Sequence, residues 1–290
     1  TGAVPGTIWL MLLLAGLAAL AEMVQHWRRY RNAGFALLAG IKVLGFPAAV
    51  ALFTVWAAPQ HFSLVVQALL TVCIVTAFGP LVYRLAYQSL ADATSLVLLI
   101  VSVGVHFALT GLGLLFFGAE GFRNPPFWDA RFSLGSVNVS GQAITIALAC
   151  VALMTLLWLF FERTFHGKAL RATAINRLGA RLMGISSQAA GQLTLAMAAL
   201  IGALSGLLIG PTTTVFFDSG FLIGLKGFVA AVIGGLASYP VAAMGALVVG
   251  IVEAFSSFWA SAFKEVIVFT MIVPVLLWRS LTTRHTDEDH

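Results

Sequence analysis

The stretch "GQAITIALACVALMTLLWLFFERTFHGKALRATAINRLGARLMGISSQAAGQLTLAMAALIGALSGLLIG", residues 141–210, decides the fold. It opens with an apolar run, Gly141 to Phe161, and closes with another, Ala189 to Gly210, each long enough to cross a bilayer at about 20 residues per span. Between them lies a helix-forming segment that concentrates five of the chain's sixteen Lys and Arg residues. Two spans joined by a basic connection describe a membrane protein that presents this connection to one face of the bilayer.

Working outward, the same pattern fills the chain. Of its 290 residues, 60% are hydrophobic and only 9% charged, against roughly 25% charged in soluble domains. The spacing predicts nine apolar segments: Ile8 to Gln25, Gly34 to Ala57, Phe62 to Tyr83, Ser95 to Phe117, Gly141 to Phe161, Ala189 to Gly210, Gly220 to Leu236, Val241 to Trp259 and Val266 to Trp278. The expected fold is an all-α polytopic bundle of eight or nine spans over residues 1–290. The seventh segment is short, carries Lys226 and reads as a broken or re-entrant helix. Counted over alternate connections, eleven Lys and Arg fall on the side of the basic segment and three on the other. The positive-inside bias therefore puts residues 162–187 and the tail 279–290 in the cytoplasm and the N-terminus outside. The chain starts at Thr1, so an N-terminal piece is expected to be missing; no cleavable signal is identifiable.

The cytoplasmic segment is rich in helix formers from Ala169 to Met183, with Gly184 as a stop. Ile175, Leu178 and Leu182 make a small apolar face, and Arg177 and Arg181 form a like-charged i, i+4 pair beside it. Such a pair suits an anionic partner, which membrane lipid can supply. Gly167 and Gly184 also bracket a compact Ala-rich helix of the kind that docks into a protein groove.

Gly202, Gly206 and Gly210 lie on one stripe and predict close helix packing, with a pore lining as the alternative. Gly234 and Gly235, before Pro240, predict a backbone break at membrane depth, either a re-entrant turn or part of a substrate path. Lys226 and Glu253 lie in adjacent segments, where an ion pair and a substrate-facing role both remain open. Glu22 and Lys42 lie near segment ends and read as snorkelling side chains, and His106 as scaffold. Cys73 and Cys150 fall in apolar runs and read as packing residues; no metal site is expected. The outer connection, Gly118 to Ser140, is too short for a ligand-binding domain. No catalytic residues are expected. There is no H-E-x-x-H motif, Ser205 lacks a nucleophile signature, and Asp92 and Asp218 fall in connections on opposite sides. No G-x-x-x-x-G-K-[ST] loop exists to hold ATP, so ATP and magnesium are expected only on a separate ATPase.

"GKALRATAINRLGARLMGI" resembles the coupling-loop signature of permease subunits of ATP-binding-cassette importers of the branched-chain amino acid, LivH-like, type. It does so through Gly167, Ala169, Arg171, Ala172, Asn176, Ala180, Gly184 and Ile185. A second block, "GFLIGLKGFVAAVIGGLASYPVAAMGALVVGIVEAFSS", resembles the same family through Gly224, Lys226, Ala230, Val232, Gly234, Gly235, Ser238, Pro240, Gly245, Gly250 and Glu253; "VYRLAYQSL" is a weaker match. The resemblance spans Leu81 to Trp278. Val241 departs from the family's usual Gly, and residues 1–80 lack an Asn-Phe-Ala-His-Gly type box. The resemblance implies a bacterial inner-membrane subunit that works with ATPase subunits, a second permease, related or identical, and a periplasmic substrate-binding protein. No nucleic-acid partner is implied. On this resemblance Gly167, Arg171, Ala172, Asn176, Arg177, Arg181 and Gly184 couple to the ATPase. The implied cargo is branched-chain or other small hydrophobic amino acids, with urea or short amides as related possibilities. A passive channel or secondary transporter is the rival reading.

Overall fold

The computed structural model describes residues 6–30, 33–57, 60, 62–91, 93–134, 137–233 and 239–283. The apolar segments fold as α1 Gly6–Tyr30, α2 Ala33–Ala57, α3 Leu64–Val82, α4 Ser95–Phe117 and α5 Gly141–Arg163. The basic connection forms α6 Phe165–Ile175 and α7 Arg177–Leu182, and the chain continues as α8 Ser187–Ile209, α9 Ser219–Ile233, α10 Tyr239–Trp259, α11 Lys264–Thr270 and α12 Ile272–Thr283. Among the described residues seven helices are long and apolar enough to cross a membrane. α9 is the expected short helix, and the ninth segment is divided at Met271 into α11 and α12. Gly234 and Gly235, Asp92 and the tail beyond Thr283 lie outside the described residues.

The chain forms two compact units. One gathers Thr1–Val151 with Leu159–Phe217; the other gathers Ala152–Trp158 with Asp218–His290. In the first, α1 is the centre. Its Ile8, Met11, Ala15, Ala18 and Ala19 are almost fully buried against Val43 and Ala51 of α2 and Ile74, Ala77 and Leu81 of α3. Three alanines on one face let neighbouring backbones approach, as membrane helices require when lipid is as apolar as leucine.

The closest approach in the first unit is between α3 and α8, and it is made by glycines the sequence reading did not single out. A Cβ on Gly79 would collide with the Leu195 backbone, and one on Gly191 with the Tyr83 ring. Within this chain a Cβ on Gly202 or Gly206 would meet open space among the described residues, and both glycines line a cavity. Cys73 and Cys150 are likewise free and turned outward rather than packed inside, a position that lipid makes tolerable for an apolar thiol. Near its end α3 passes Pro80, widens into a π-helical turn at Tyr83–Tyr87 and tightens into a 3₁₀ turn at Gln88–Leu90.

Contacts at the helix ends gather alternate connections into two groups. At one end, Gly6 abuts the Phe116 carbonyl, Phe122 bridges Val215, and Arg123 donates to the carbonyls of Pro211 (3.2 Å) and Thr212 (3.3 Å). At the other, Glu22 lies 3.7 Å from Arg84 and Arg177 donates to the Ala91 carbonyl at 3.1 Å. Every one of these pairs joins segments assigned to the same side.

The outer connection holds an unanticipated antiparallel hairpin, β1 Arg131–Leu134 with β2 Val137–Ser140. Gln142 fastens its base. Its side-chain carbonyl accepts from Phe127 N (3.0 Å) and its amide donates to Leu208 O (2.9 Å).

In the second unit, Val229 and Ala230 of α9 pack on Val249 of α10 and Val268 of α11. A Cβ on Gly245 would stand 2.5 Å from the Ala230 carbonyl oxygen, so that glycine sets the α9–α10 distance.

Candidate functional site

The basic segment between α5 and α8 is built from its turns. Thr164 ends α5 and caps α6: its hydroxyl donates to Phe160 O (2.6 Å) and accepts from Gly167 N (3.0 Å). At Gly167 any Cβ would enter the Phe160 and Phe161 backbone, so the reversal from α5 into α6 needs glycine there. The single helix expected between Gly167 and Gly184 is corrected to two. Asn176 adopts an extended conformation, φ −146° and ψ 99°, and its Oδ1 accepts from Gly179 N at 2.9 Å. A side chain that satisfies a free N–H of a new first turn favours starting a helix over continuing one.

The second helix ends as the sequence predicts. Gly184 has φ +82°, its N–H donates to Arg181 O (2.9 Å), and Ile185 N donates to Ala180 O (2.9 Å). These two bonds are the paired closure of a Schellman motif, which favours glycine at the left-handed position. Ser186 then caps α8 by accepting from Ala189 N at 3.3 Å.

The cations that raised the question of an anionic partner find acceptors within the chain. Arg171 pairs with Glu162 at 2.6 Å, with its guanidinium 6.0 Å from the Phe161 ring centre. Arg177 holds the Ala91 carbonyl beyond the 3₁₀ turn that follows α3, and Arg181 Nε donates to Ser187 Oγ at 2.9 Å in the first turn of α8. The arginines are fasteners. Beside these arginines, which are themselves exposed, the segment also turns apolar side chains outward: Ile175, Leu178, Leu182 and Met183 are 69 to 87% exposed, while Gly167, Thr173 and Ala180 are buried beneath. Ala172 lies on α6 and contributes its carbonyl to Asn176 N (3.0 Å).

Between the middle of α3 and the C-terminal part of α8 lies a cavity of about 360 Å³. Thr71 and Val75 of α3, Gly202, Gly206 and Gly210 of α8, and Asn124 of the outer connection line it, with aromatic rings from Phe117, Phe122, Phe216 and Phe217. The missing side chains along the glycine stripe make this space.

In the second unit, Lys226 reaches two carboxylates, Glu253 at 2.6 Å and Glu265 at 3.1 Å. The ion pair with Glu253 was one of the two readings the sequence left open. Glu265, at the start of α11, was missed; its place immediately before the last apolar run was the available sign. No group of His, Cys, Asp and Glu among the described residues could hold a metal ion.

Residues 7–276 match the family described as branched-chain amino acid transport system / permease component, extending the resemblance over the first three helices. The chain is 31% identical over 216 residues to the high-affinity branched-chain amino acid transport system permease protein BraD of Pseudomonas aeruginosa, covering 72% of this chain and 70% of that protein. It is also 31% identical over 213 residues to the LivH permease proteins of Salmonella typhimurium and Escherichia coli K12, covering 71% of this chain and 69% of each. No solved structure gives a significant match. A bundle of apolar spans, a capped basic segment and these relatives together make the chain a multi-pass membrane protein that belongs to the branched-chain amino acid transport permease family.

Proposed function

We propose that the chain is the translocating subunit of an ATP-driven importer in a bacterial inner membrane, and that α6–α7 is where a separate ATPase, carrying ATP and magnesium, grips it. The carrying observation is the exposed apolar patch of Ile175, Leu178, Leu182 and Met183 on a segment whose caps and arginines tie it down. Four apolar side chains held on a rigid mount facing water match the centre of a protein interface. Gly167 and Gly184 shape the mount, Arg171, Arg177 and Arg181 fasten it, and Ala172 and Asn176 form its elbow.

Force applied to this mount has a defined exit. Arg177 passes it to the extension of α3 and Arg181 to the first turn of α8. Those two helices interlock through Gly79 and Gly191 and line the outer cavity. Alternating access is then a change in how α3 and α8 present that cavity, driven by the difference in ATPase contacts between two states. A periplasmic binding protein delivers cargo to the outer connections, and a second permease, identical or related, completes the pathway.

The cargo on this reading is a branched-chain or other small hydrophobic amino acid, with urea or short amides as lesser relatives. The cavity offers rings and glycines to an aliphatic side chain and the Asn124 amide to polar groups. Lys226 and Glu253 belong to the scaffold in this scheme, since Glu265 completes a triad around the ammonium. Purification of the assembled transporter tests the proposal. A stoichiometric ATPase that is lost on Leu178→Asp, together with ATP-dependent uptake, supports it; uptake by this chain alone in liposomes overturns it in favour of a passive channel or secondary transporter.

A further inference from the structure

A second cavity, of about 440 Å³, lies on the other side of the α3–α8 pair, between α2 and α3. Along α3 its lining runs from Leu69 to Arg84, about 22 Å at 1.5 Å per residue. Half a bilayer with its headgroups is also about 20–22 Å thick. The long wall is apolar: Val43, Phe46, Leu69, Val72 and Cys73 line it, and the Thr76 hydroxyl is turned to the Val72 carbonyl at 2.6 Å, leaving only its methyl.

Both charges in the lining are positive and lie at the cytoplasmic end, since α2 runs outward from Lys42 and α3 runs inward to Arg84. Arg84 shares Glu22 at 3.7 Å, whereas exposed Lys42 has no hydrogen bond or ion pair among the described residues. Lys42 stands about 13 Å along a helix of about 37 Å, and its side chain leans toward the helix N-terminus, which is the cytoplasmic side. An ammonium so placed needs an anion at headgroup level, because a charge left bare toward lipid is expensive. The lining holds no acid to receive the ammonium of a zwitterionic solute, and the carboxylate beside it, Glu22, is taken up by Arg84, the Gln88 amide and His26.

We infer that this groove binds one anionic phospholipid of the cytoplasmic leaflet, its phosphate at Lys42 and Arg84 and an acyl chain along α2 and α3. The occupant is fixed by charge and length together: two cations at one end, and an apolar wall one leaflet long.

Native mass spectrometry of the full chain, alone and in its assembled transporter, tests the inference with phosphatidylglycerol and phosphatidylcholine of identical acyl chains. Wild type should retain phosphatidylglycerol about fivefold better, the preference expected from one well-placed surface cation. Lys42→Gln should bring the two lipids within about twofold, and Val72→Trp, which fills the wall and keeps the charge, should lose both. Equal retention by wild type, or an undiminished preference in Lys42→Gln, overturns the site. So does loss of phosphatidylglycerol on assembly, which makes a protein chain the occupant.

Discussion

At the scale of single residues, the cytoplasmic segment depends on backbone positions more than on charges. Gly184 is left-handed, so Gly184→Ala should cost about 1–2 kcal/mol, read as a lowered unfolding midpoint in detergent. Gly167→Ala should be worse, because its methyl has nowhere to go but into the Phe160 backbone, and the expected outcome is a chain that fails to accumulate in the membrane. Lys226 makes a different prediction. Removing a cation shared by two carboxylates leaves like charges facing each other, whereas neutralising the whole triad removes the conflict. Lys226→Met should therefore lower thermal stability and uptake, and adding Glu253→Gln with Glu265→Gln should restore both. A triple variant that is stable but transports nothing would instead give the ammonium to the substrate.

At the scale of elements, the decisive link is Arg177 to Ala91, because it joins the cytoplasmic segment to the end of α3 across 86 residues of sequence. Arg177→Ala should leave the ATPase bound while reducing ATP-driven uptake several-fold, measured as uptake per ATP hydrolysed; loss of binding would move Arg177 into the interface. The sequence made the spans readable since membrane helices announce themselves by length, and Gly184 readable since a glycine after helix formers is a stop signal. It hid the break at Asn176, where helix formers stand on both sides and only an amide capable of capping Gly179 marks the second start. The hairpin was hidden differently. Its alternating "RFSL" and "VNVS" around Gly135–Ser136 carry the period-two signal, but they sit in a connection otherwise read by charge. The stripe at Gly202, Gly206 and Gly210 shows why spacing alone cannot separate a packing face from a cavity wall: both need absent side chains, and only the neighbours differ.

At the scale of the whole molecule, the contacts of Arg84, Arg177 and Arg123 join connections that are far apart in sequence. What loop charge could not say is that three cations of the basic segment hold acceptors within the chain while staying exposed, beside a set of exposed aliphatic side chains. On the proposed coupling role the apolar patch carries the ATPase contact, so ionic strength should barely affect ATPase binding: a change of less than about threefold between 0.05 and 0.5 M salt, by equilibrium sedimentation of the complex, is expected. The most direct test is leucine uptake into proteoliposomes holding the assembled transporter, comparing wild type with the Leu178→Asp, Leu182→Asp variant. Uptake that needs ATP and falls at least tenfold in the variant, with ATPase no longer co-purifying, is the predicted result. Undiminished uptake by the variant, or by wild type without any ATPase, would contradict the coupling role of α6–α7.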